Sequence, residues 1–251
     1  MTVHETNLRV KVLMRLIKEF IGMFYKTKLK KIPFKRISNL AMYCNYIKDR
    51  SYINDMFGIN ITNEDFNTLL SKNWLNDKII NFYFELMVDH FNKEEGNENY
   101  YTFSTYLYTK LAKGGNVKSW VKNINLTSYK LIFIPINTGN HWLLFCWDKD
   151  KRCLECYDSL YCVDIKMINI ILKFLDDEFQ RNNTLMKLNY KIIDCYKQEN
   201  GSDCGVYCCM FGKNKLLGTD YKISGHLSRL MIMHEIYIGK IIYKNNSLEK
   251  Q

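Results

Sequence analysis

Three strand-like runs follow one another closely in the middle of the chain, and helical patterns lie on both sequence sides of them. The strand-like runs are KLIFIPI at 130–136, HWLLFCW at 141–147 and RCLECYD at 152–158. Helical patterns cover 76–91, 163–179, 204–217 and 226–242, and a further strand is predicted at 190–196. Consecutive strands between helices are typical of an α+β fold, whereas regular strand–helix alternation would indicate parallel βαβ units.

The composition is that of a globular protein. The chain has 251 residues, of which 47% are hydrophobic and only 2 are proline, so disordered and collagen-like classes are excluded. This length suits one or two domains. No apolar run reaches the roughly 18 residues of a membrane span, because Lys18 and Glu19 interrupt the longest candidate at 13–24. We therefore do not expect an integral membrane protein.

The positive charge is concentrated in an N-terminal arm. Residues 1–50 contain 12 Lys and Arg against 3 Asp and Glu, a net charge of +9, whereas residues 51–251 contain 24 against 23, a net charge of +1. A nearly neutral body with a basic arm does not resemble a nucleic-acid-binding fold, so no nucleic acid partner is expected. The predicted organisation is an arm at 1–50 and a packed domain at 51–251.

The arm has an amphipathic stripe followed by a basic run. The stripe consists of Val10, Leu13, Leu16, Ile17, Phe20, Ile21 and Phe24, at the spacing of one helix face. Such a helix either packs on the body or docks on a membrane surface or a partner. The basic run at 26–36 resembles a nuclear-import signal, and its alternative is a solvated segment. Residues 8–36 are thus a candidate for contact with a membrane or the nuclear envelope.

The nine cysteines favour a reducing compartment. No signal peptide precedes them, so free thiols in the nucleus or cytoplasm are expected, and not secretion. Cys153 and Cys156 have CxxC spacing, but neither a second such pair nor a nearby histidine completes a zinc site. No metal ion or other cofactor is predicted.

Cys204 is the strongest candidate nucleophile. It follows the polar turn Asn200–Asp203 and begins a predicted helix that Ser202 or Asp203 could cap. The amides and the positive end of a helix N-terminus stabilise a thiolate, which is the reactive form of cysteine. Gly205 would leave room for a substrate carbonyl, and the Cys204 amide could bind an oxyanion.

His141 and Asp158 are candidates for the base and its orienting carboxylate. If 141–147 and 152–158 form a hairpin, residues whose numbers sum to about 299 pair across it, which sets His141 opposite Asp158. Gln198 lies six residues before Cys204, and its side-chain amide could be a second oxyanion donor. A thiol, a base and an orienting carboxylate indicate nucleophilic catalysis.

Together these motifs resemble the Ulp/SENP family of cysteine proteases, which cleave the ubiquitin-like modifier SUMO. The motifs are WLND at 74–77, His141-Trp142, Tyr157-Asp158-Ser159 and Gln198-x-Asn-Gly-x-Asp-Cys204-Gly-x-Tyr207. The resemblance extends over residues 52–244. It implies a papain-like core with a mixed or antiparallel central sheet flanked by helices, and a triad of His141, Asp158 and Cys204 with Gln198 at the oxyanion hole.

The resemblance also implies the substrate and the residues that bind it. Trp74 and Trp142 would clamp the Gly-Gly tail of SUMO between two indole faces, and Asp77 would pair with a basic residue of the modifier. The expected activity is hydrolysis after that tail, on SUMO-conjugated proteins and on the SUMO precursor, by a monomer in the nucleus. The alternatives are a same-fold protease for another modifier, an acyltransferase, or a catalytically silent SUMO-binding module.

Overall fold

The computed structural model of the chain describes residues 54–70 and 72–243. The predicted arm at 1–50 lies outside these residues. The helices are α1 (Asn63–Asn67), α2 (Asp77–Glu95), α3 (Tyr106–Ala112), α4 (Lys118–Val121), α5 (Ile165–Arg181), α6 (Cys204–Leu217) and α7 (Gly225–Ile238). The strands are β1 (Tyr100–Thr102), β2 (Leu131–Asn137), β3 (Trp142–Asp148), β4 (Cys153–Tyr157) and β5 (Asn189–Ile192).

The five strands form one mixed sheet in the order β1-β2-β3-β4-β5. The central pairs β2–β3 and β3–β4 are antiparallel, and the outer pairs β1–β2 and β4–β5 are parallel. Every residue of β3 is buried, which requires cover on both faces of the sheet. The predicted α+β fold with a mixed central sheet is confirmed.

The two faces of the sheet contribute to two hydrophobic cores. Alternate residues of β3 point to opposite faces, so Leu144 and Cys146 join the core on the α2, α6 and α7 side. Phe145 and Trp147 join the core on the α3 and α5 side, together with Leu175. Because α6 packs on β3 within the first core, its N-terminus is fixed relative to the start of that strand.

Local signals set the ends of the long helices. The Asn76 side chain caps α2 by accepting a hydrogen bond of 3.0 Å from the amide of Ile79. The helix ends at Gly96, whose φ of 66° is a left-handed conformation that glycine adopts without strain. Helix α6 spans the predicted 204–217, whereas α7 stops before the predicted residue 242, because Gly239 has a φ of 63°.

The predicted pairing register of the β3–β4 hairpin is wrong by two residues. The observed partners are Leu144 with Tyr157 and Asp148 with Cys153, whose numbers sum to 301. The strand β3 continues through Asp148, and Arg152 belongs to the turn, where its φ is 50°. A shift of two residues keeps each side chain on its original face of the sheet.

The α-helices within residues 54–70 and 72–243 range from 4 to 19 residues in length. None of these helices is long and apolar enough to cross a bilayer.

Candidate active site

Three elements bring the predicted triad together at one end of the sheet. His141 directly precedes β3, Asp158 directly follows β4, and Cys204 is the first residue of α6. The buried Cys208, one turn into α6, donates from Sγ to the carbonyl oxygen of Leu143 at 3.4 Å and so holds this helix against β3. The triad side chains are buried, with 2–4% of each residue exposed.

Asp158 holds the imidazole of His141. Its Oδ1 lies 2.7 Å from His141 Nε2. The carboxylate also accepts hydrogen bonds from the backbone amides of Leu160 at 2.8 Å and Val163 at 2.9 Å, and from that of Cys162. Burial alone would raise the pKa of Asp158, but the bonds from His141 and these amides lower it below its ordinary value. Asp158 is therefore an ionised acceptor that fixes the ring.

The bond to Asp158 leaves Nδ1 as the ring nitrogen available to the Cys204 thiol. This nitrogen is buried and has no hydrogen-bond partner of ordinary geometry. Burial would lower the pKa of His141, but its interactions with Asp158 and Cys204 raise the pKa to about 9. Burial would likewise raise the pKa of Cys204, but His141 and the amides of Trp142 and Gly205 lower it. The two shifts together favour a thiolate–imidazolium pair.

The predicted side-chain cap of α6 is wrong. Asp203 occupies the N-cap position, but its carboxylate does not bond the first turn of the helix. That carboxylate instead lies 2.7 Å from an Arg229 nitrogen and accepts a 2.8 Å hydrogen bond from Asn200. The Asp203 side chain therefore does not occupy the backbone amides of the first turn of α6, and these amides are left to interact with the Cys204 thiolate.

Gly205 has a packing role that the sequence did not predict. A Cβ atom at this position would lie 2.9 Å from Leu75 Cβ and 3.2 Å from Ile80 Cδ1. The missing side chain thus allows α6 to approach residues 75–80 closely, and the expected role of Gly205 in substrate access stays a prediction. This contact brings the segment after Trp74 against α6, the helix that begins at Cys204.

Gln198 lies in the loop that leads to Cys204 and is nearly fully buried. Its Oε1 accepts a hydrogen bond from Ser159 Oγ at 2.6 Å, and its Nε2 donates to the carbonyl oxygen of Asn200 at 2.5 Å. The second Nε2 hydrogen is not used by these bonds, so the oxyanion role of Gln198 stays a prediction. Ser159, which orients the amide, was not predicted to have a role, although it follows Asp158 directly in the sequence.

The two tryptophans predicted to bind substrate have different environments. Trp74 is 51% exposed and donates from Nε1 to the carbonyl oxygen of Gly201 at 2.8 Å. Trp142 is 4% exposed and donates from Nε1 to the carbonyl oxygen of Leu75 at 2.9 Å. Both indoles are thus anchored to the backbone near Cys204, and the exposure of Trp74 argues against a core-packing role for it.

Asp77 and Trp142 line a common groove. It has a volume of about 610 Å³ and is also bordered by α3 and the β2–β3 turn. Asp77 is the first residue of α2, and its carboxylate accepts a hydrogen bond from the hydroxyl of the exposed Tyr106. The groove lies beside Trp142 at the start of β3, and Asp77 contributes a carboxylate to its lining.

Arg229, a residue that the sequence patterns did not indicate, links the segment before Trp74 to the loop before Cys204. The guanidinium is 3% exposed. Besides the Asp203 carboxylate, it donates to the carbonyl oxygens of Thr68 (3.0 Å), Leu70 (3.3 Å), Asn73 (2.7 Å) and Ser202 (2.8 Å). The sequence signal that could have identified Arg229 is a charged residue within the otherwise mostly apolar helix pattern at 225–238.

One group of side chains at this site has metal-ligating atoms close together. Within the described residues, a nitrogen of His141, an oxygen of Asp158 and the sulfur of Cys162 all lie within 4.8 Å of one another. Cys162 is exposed, whereas the other two residues are buried. The eight cysteines in the described residues are all free thiols.

The family model of the Ulp1 protease family, C-terminal catalytic domain, matches residues 73–236 of this chain. The chain belongs to this family. The matched residues include every predicted site residue, from Trp74 to Cys204.

Curated relatives support the same assignment. Human Sentrin-specific protease 2 is 38% identical over 168 residues, which are 63% of this chain and 28% of that protein. The Sentrin-specific protease of Caenorhabditis elegans is 32% identical over 166 residues, and ubiquitin-like-specific protease 1 of Saccharomyces cerevisiae is 31% identical over 189 residues. These alignments span 24–29% of the relatives' own lengths.

Solved structures share the fold. The C-terminal Ulp1 protease domain, determined in complex with Smt3, the yeast ortholog of SUMO, has a TM-score of 0.70 at 24% identity, with 85% of this chain and 98% of that chain covered. The SUMO protease Ulp1 with its catalytic cysteine oxidised to a sulfinic acid has a TM-score of 0.68 at 26% identity, with 83% and 96% covered.

Proposed function

We propose that this chain is a thiol protease that hydrolyses the bond after the C-terminal Gly-Gly of SUMO. It would release SUMO from lysine side chains of conjugated proteins and also process the SUMO precursor. The observation that carries the proposal is the buried assembly of Cys204, His141 and Asp158, in a chain whose relatives are named Sentrin-specific proteases.

The proposed reaction begins with attack of the Cys204 thiolate on the carbonyl carbon of the terminal glycine. The S–C bond forms, and the negative charge that develops on the carbonyl oxygen is held by the Cys204 amide and by Gln198. His141, which took the thiol proton, gives it to the leaving lysine amine as the C–N bond breaks. Asp158 holds the ring throughout at 2.7 Å.

Hydrolysis of the thioester completes the cycle. Water enters when the amine has left, His141 accepts one of its protons, and the oxygen attacks the thioester carbon. The C–S bond breaks, which returns the Cys204 thiolate and His141 imidazolium and releases the carboxylate of the modifier. No step requires a group that the chain's own residues and water do not supply.

Substrate selection is assigned to Trp74, Trp142 and Asp77. The two indoles would flank the Gly-Gly tail, since a slot between ring faces admits residues without side chains and excludes larger ones. Trp74 is partly exposed and anchored next to the nucleophile loop, as this role requires. Asp77, at the edge of the groove, would pair with a basic side chain of the modifier.

A panel of modifier probes tests this proposal. Each probe carries a thiol-reactive group in place of the C-terminal carboxyl of SUMO, ubiquitin or another ubiquitin-like protein. We expect rapid labelling of Cys204 by the SUMO probe alone, together with cleavage of a SUMO precursor. Preferential labelling by another modifier would contradict the substrate assignment. Labelling without hydrolysis would indicate an acyltransferase, and binding without labelling would indicate a catalytically silent module.

Variants of two cysteines complete this experiment. Cys204→Ser should bind SUMO and fail to cleave it, because a hydroxyl is not ionised at neutral pH and is a poorer nucleophile than a thiolate. The control is Cys208→Ala, which removes a buried thiol one turn further along α6. It should lower thermal stability more than turnover. Normal cleavage by Cys204→Ser would refute the nucleophile assignment.

The cellular location and the oligomeric state are further parts of the proposal. The +9 charge of residues 1–50 and the basic run at 26–36 support the nucleus or the nuclear envelope as the site of action. Contact with a membrane surface would involve residues 8–36. We infer a monomer, because the proposed site is formed by residues of one chain.

A further inference from the structure

Cys162 adds a third metal-binding group to the His141–Asp158 pair. Its sulfur, a His141 nitrogen and an Asp158 oxygen lie within 4.8 Å of one another. An imidazole nitrogen, a carboxylate oxygen and a thiolate sulfur are all ligands that zinc binds well. The proposed protease mechanism uses His141 and Asp158 but gives no role to the Cys162 thiol.

We propose that His141 Nε2, Asp158 Oδ1 and Cys162 Sγ form an inhibitory Zn²⁺ site within the active site. Three protein ligands would leave a fourth position for water, as in open zinc sites. The inhibitory consequence rests on the protease function proposed above, whereas metal binding itself does not.

The dimensions of the group suit zinc after a small movement. His141 Nε2 and Asp158 Oδ1 are now 2.7 Å apart across a hydrogen bond. Tetrahedral zinc with bonds of about 2.0–2.1 Å would separate them by about 3.3 Å. Cys162 is exposed in the loop between Asp158 and α5, so its sulfur can close the remaining distance.

The surroundings of Asp158 already have the hydrogen bonds that support a ligating carboxylate. The amides of Leu160 and Val163 donate to it at 2.8 and 2.9 Å, and these bonds can persist when zinc replaces the proton between Asp158 and His141. Lys197 Nζ donates to the backbone carbonyl of Asp158 at 2.8 Å and fixes its main chain. Cys162 is exposed, so the third ligand of the site lies at the surface beside the buried pair.

Zinc binding would block proton transfer at Cys204. The metal displaces the Cys162 thiol proton and the Nε2 proton of His141, and both protons go to solvent. The one remaining ring proton is then on Nδ1, the nitrogen available to Cys204. This proton is the one that Cys204 gave up, and the zinc-bound ring can pass it to the leaving amine only by becoming an imidazolate. A zinc-bound imidazole is a weaker proton donor than an imidazolium, so cleavage stops until the metal dissociates.

Cobalt spectroscopy tests the site without the protease reaction. The full chain carrying Cys204→Ala is titrated with Co²⁺, which gives a thiolate-to-cobalt charge-transfer band when a cysteine ligates it. We expect this band to appear with Co²⁺ and to be lost when Zn²⁺ displaces the cobalt. The double variant that carries both Cys204→Ala and Cys162→Ser should not show the band. The matched control adds Cys195→Ser, since Cys195 also contacts Asp158, through its backbone carbonyl at 3.4 Å, and here the band should remain.

Zinc inhibition of cleavage supplies the second measurement, with each variant normalised to its own metal-free rate. Cys162→Ser should raise the Zn²⁺ concentration for half inhibition by about tenfold or more, and Cys195→Ser should leave it unchanged. Equal inhibition of Cys162→Ser and the unaltered chain, or a cobalt band that survives Cys162→Ser, would overturn the proposal. Because the cobalt titration contains no modifier, a wrong substrate assignment would not affect its outcome.

Discussion

At the scale of single residues, the protonation of His141 and Cys204 determines when the proposed reaction can run. Interaction with Asp158 and Cys204 raises the pKa of His141 to about 9, and the pKa of Cys204 is lowered. Below the lower of the two pKa values the nucleophile is a thiol, and above the higher one the ring lacks the proton that the leaving amine needs.

We therefore predict a bell-shaped pH dependence of kcat/KM, with its alkaline limb near pH 9. Asp158→Asn should move this limb to lower pH, because the interaction that raises the pKa of His141 is lost. The measurement is the rate of SUMO precursor cleavage as a function of pH, with Asp148→Asn, a buried carboxylate at the far end of β3, as control. An alkaline limb that Asp158→Asn leaves in place would contradict the assignment.

Trp74 is exposed and Trp142 is buried, so replacing each by alanine should affect substrate binding and folding stability to different extents. Trp74→Ala removes a side chain that is 51% exposed, so thermal unfolding should change little. Cleavage should fall by about tenfold or more, which corresponds to about 1.4 kcal/mol of lost contact. Trp142→Ala removes a buried indole and should also cost about 3–5 kcal/mol of folding stability.

Two measurements on the same preparations test this prediction. They are steady-state cleavage of a Gly-Gly substrate and thermal unfolding. Tyr190→Ala is the control, since it removes another exposed aromatic side chain from the edge strand β5. Turnover of Trp74→Ala at the rate of the unaltered chain would rule out the clamp.

At the scale of elements, Arg229 of α7 joins the segment before Trp74 to the loop before Cys204. It is held by the Asp203 carboxylate and four backbone carbonyls. Lysine keeps the charge but presents a single ammonium, which cannot reach all these acceptors. The two loops would then lose their shared anchor.

We predict that Arg229→Lys lowers both the unfolding temperature and kcat/KM. The control is Lys213→Met, which disrupts another buried ion pair on α6 and α7, a 2.5 Å contact with Glu235. Both variants should lose stability, because a buried carboxylate is left without its full set of partners. Assayed at a temperature at which both are folded, Arg229→Lys should lose much more activity. Equal activity losses would reduce Arg229 to a general stabilising role.

At the scale of the whole molecule, the charge of the chain is divided between its two predicted parts. Residues 51–251 carry a net charge of +1, so the predicted catalytic domain does not need the arm for electrostatic balance. Deletion of residues 1–36 should leave thermal unfolding and cleavage nearly unchanged and should move the enzyme away from the nucleus or nuclear envelope.

Thermal unfolding, cleavage rate and cellular location of the full and shortened chains decide this prediction. If the apolar stripe at 10–24 is buried on the catalytic domain, deletion would cost about 1.5–3 kcal/mol for each large side chain exposed. Early melting or aggregation of the shortened chain would therefore favour packing over addressing.

The fold class could be predicted from the sequence alone, and so could the three residues that the structure brings together, Cys204, His141 and Asp158. Strand runs, helix patterns and the Asn76 cap are local signals, so α2, α6 and the three central strands could be placed from the sequence. The hairpin brought His141 and Asp158 together despite the wrong register, because a shift of two residues keeps side chains on the same face.

Other features of the site depend on contacts between residues that are far apart in the sequence, so they required the tertiary structure. The sequence contains Asp203 and Gly205, but only the packing of α7 and residues 75–80 shows that Asp203 binds Arg229 and that Gly205 makes room for Leu75. The different exposures of Trp74 and Trp142 likewise follow from which segments cover them. These features could not be read from local patterns, because each depends on residues far apart in the chain that meet only when the helices pack on the sheet.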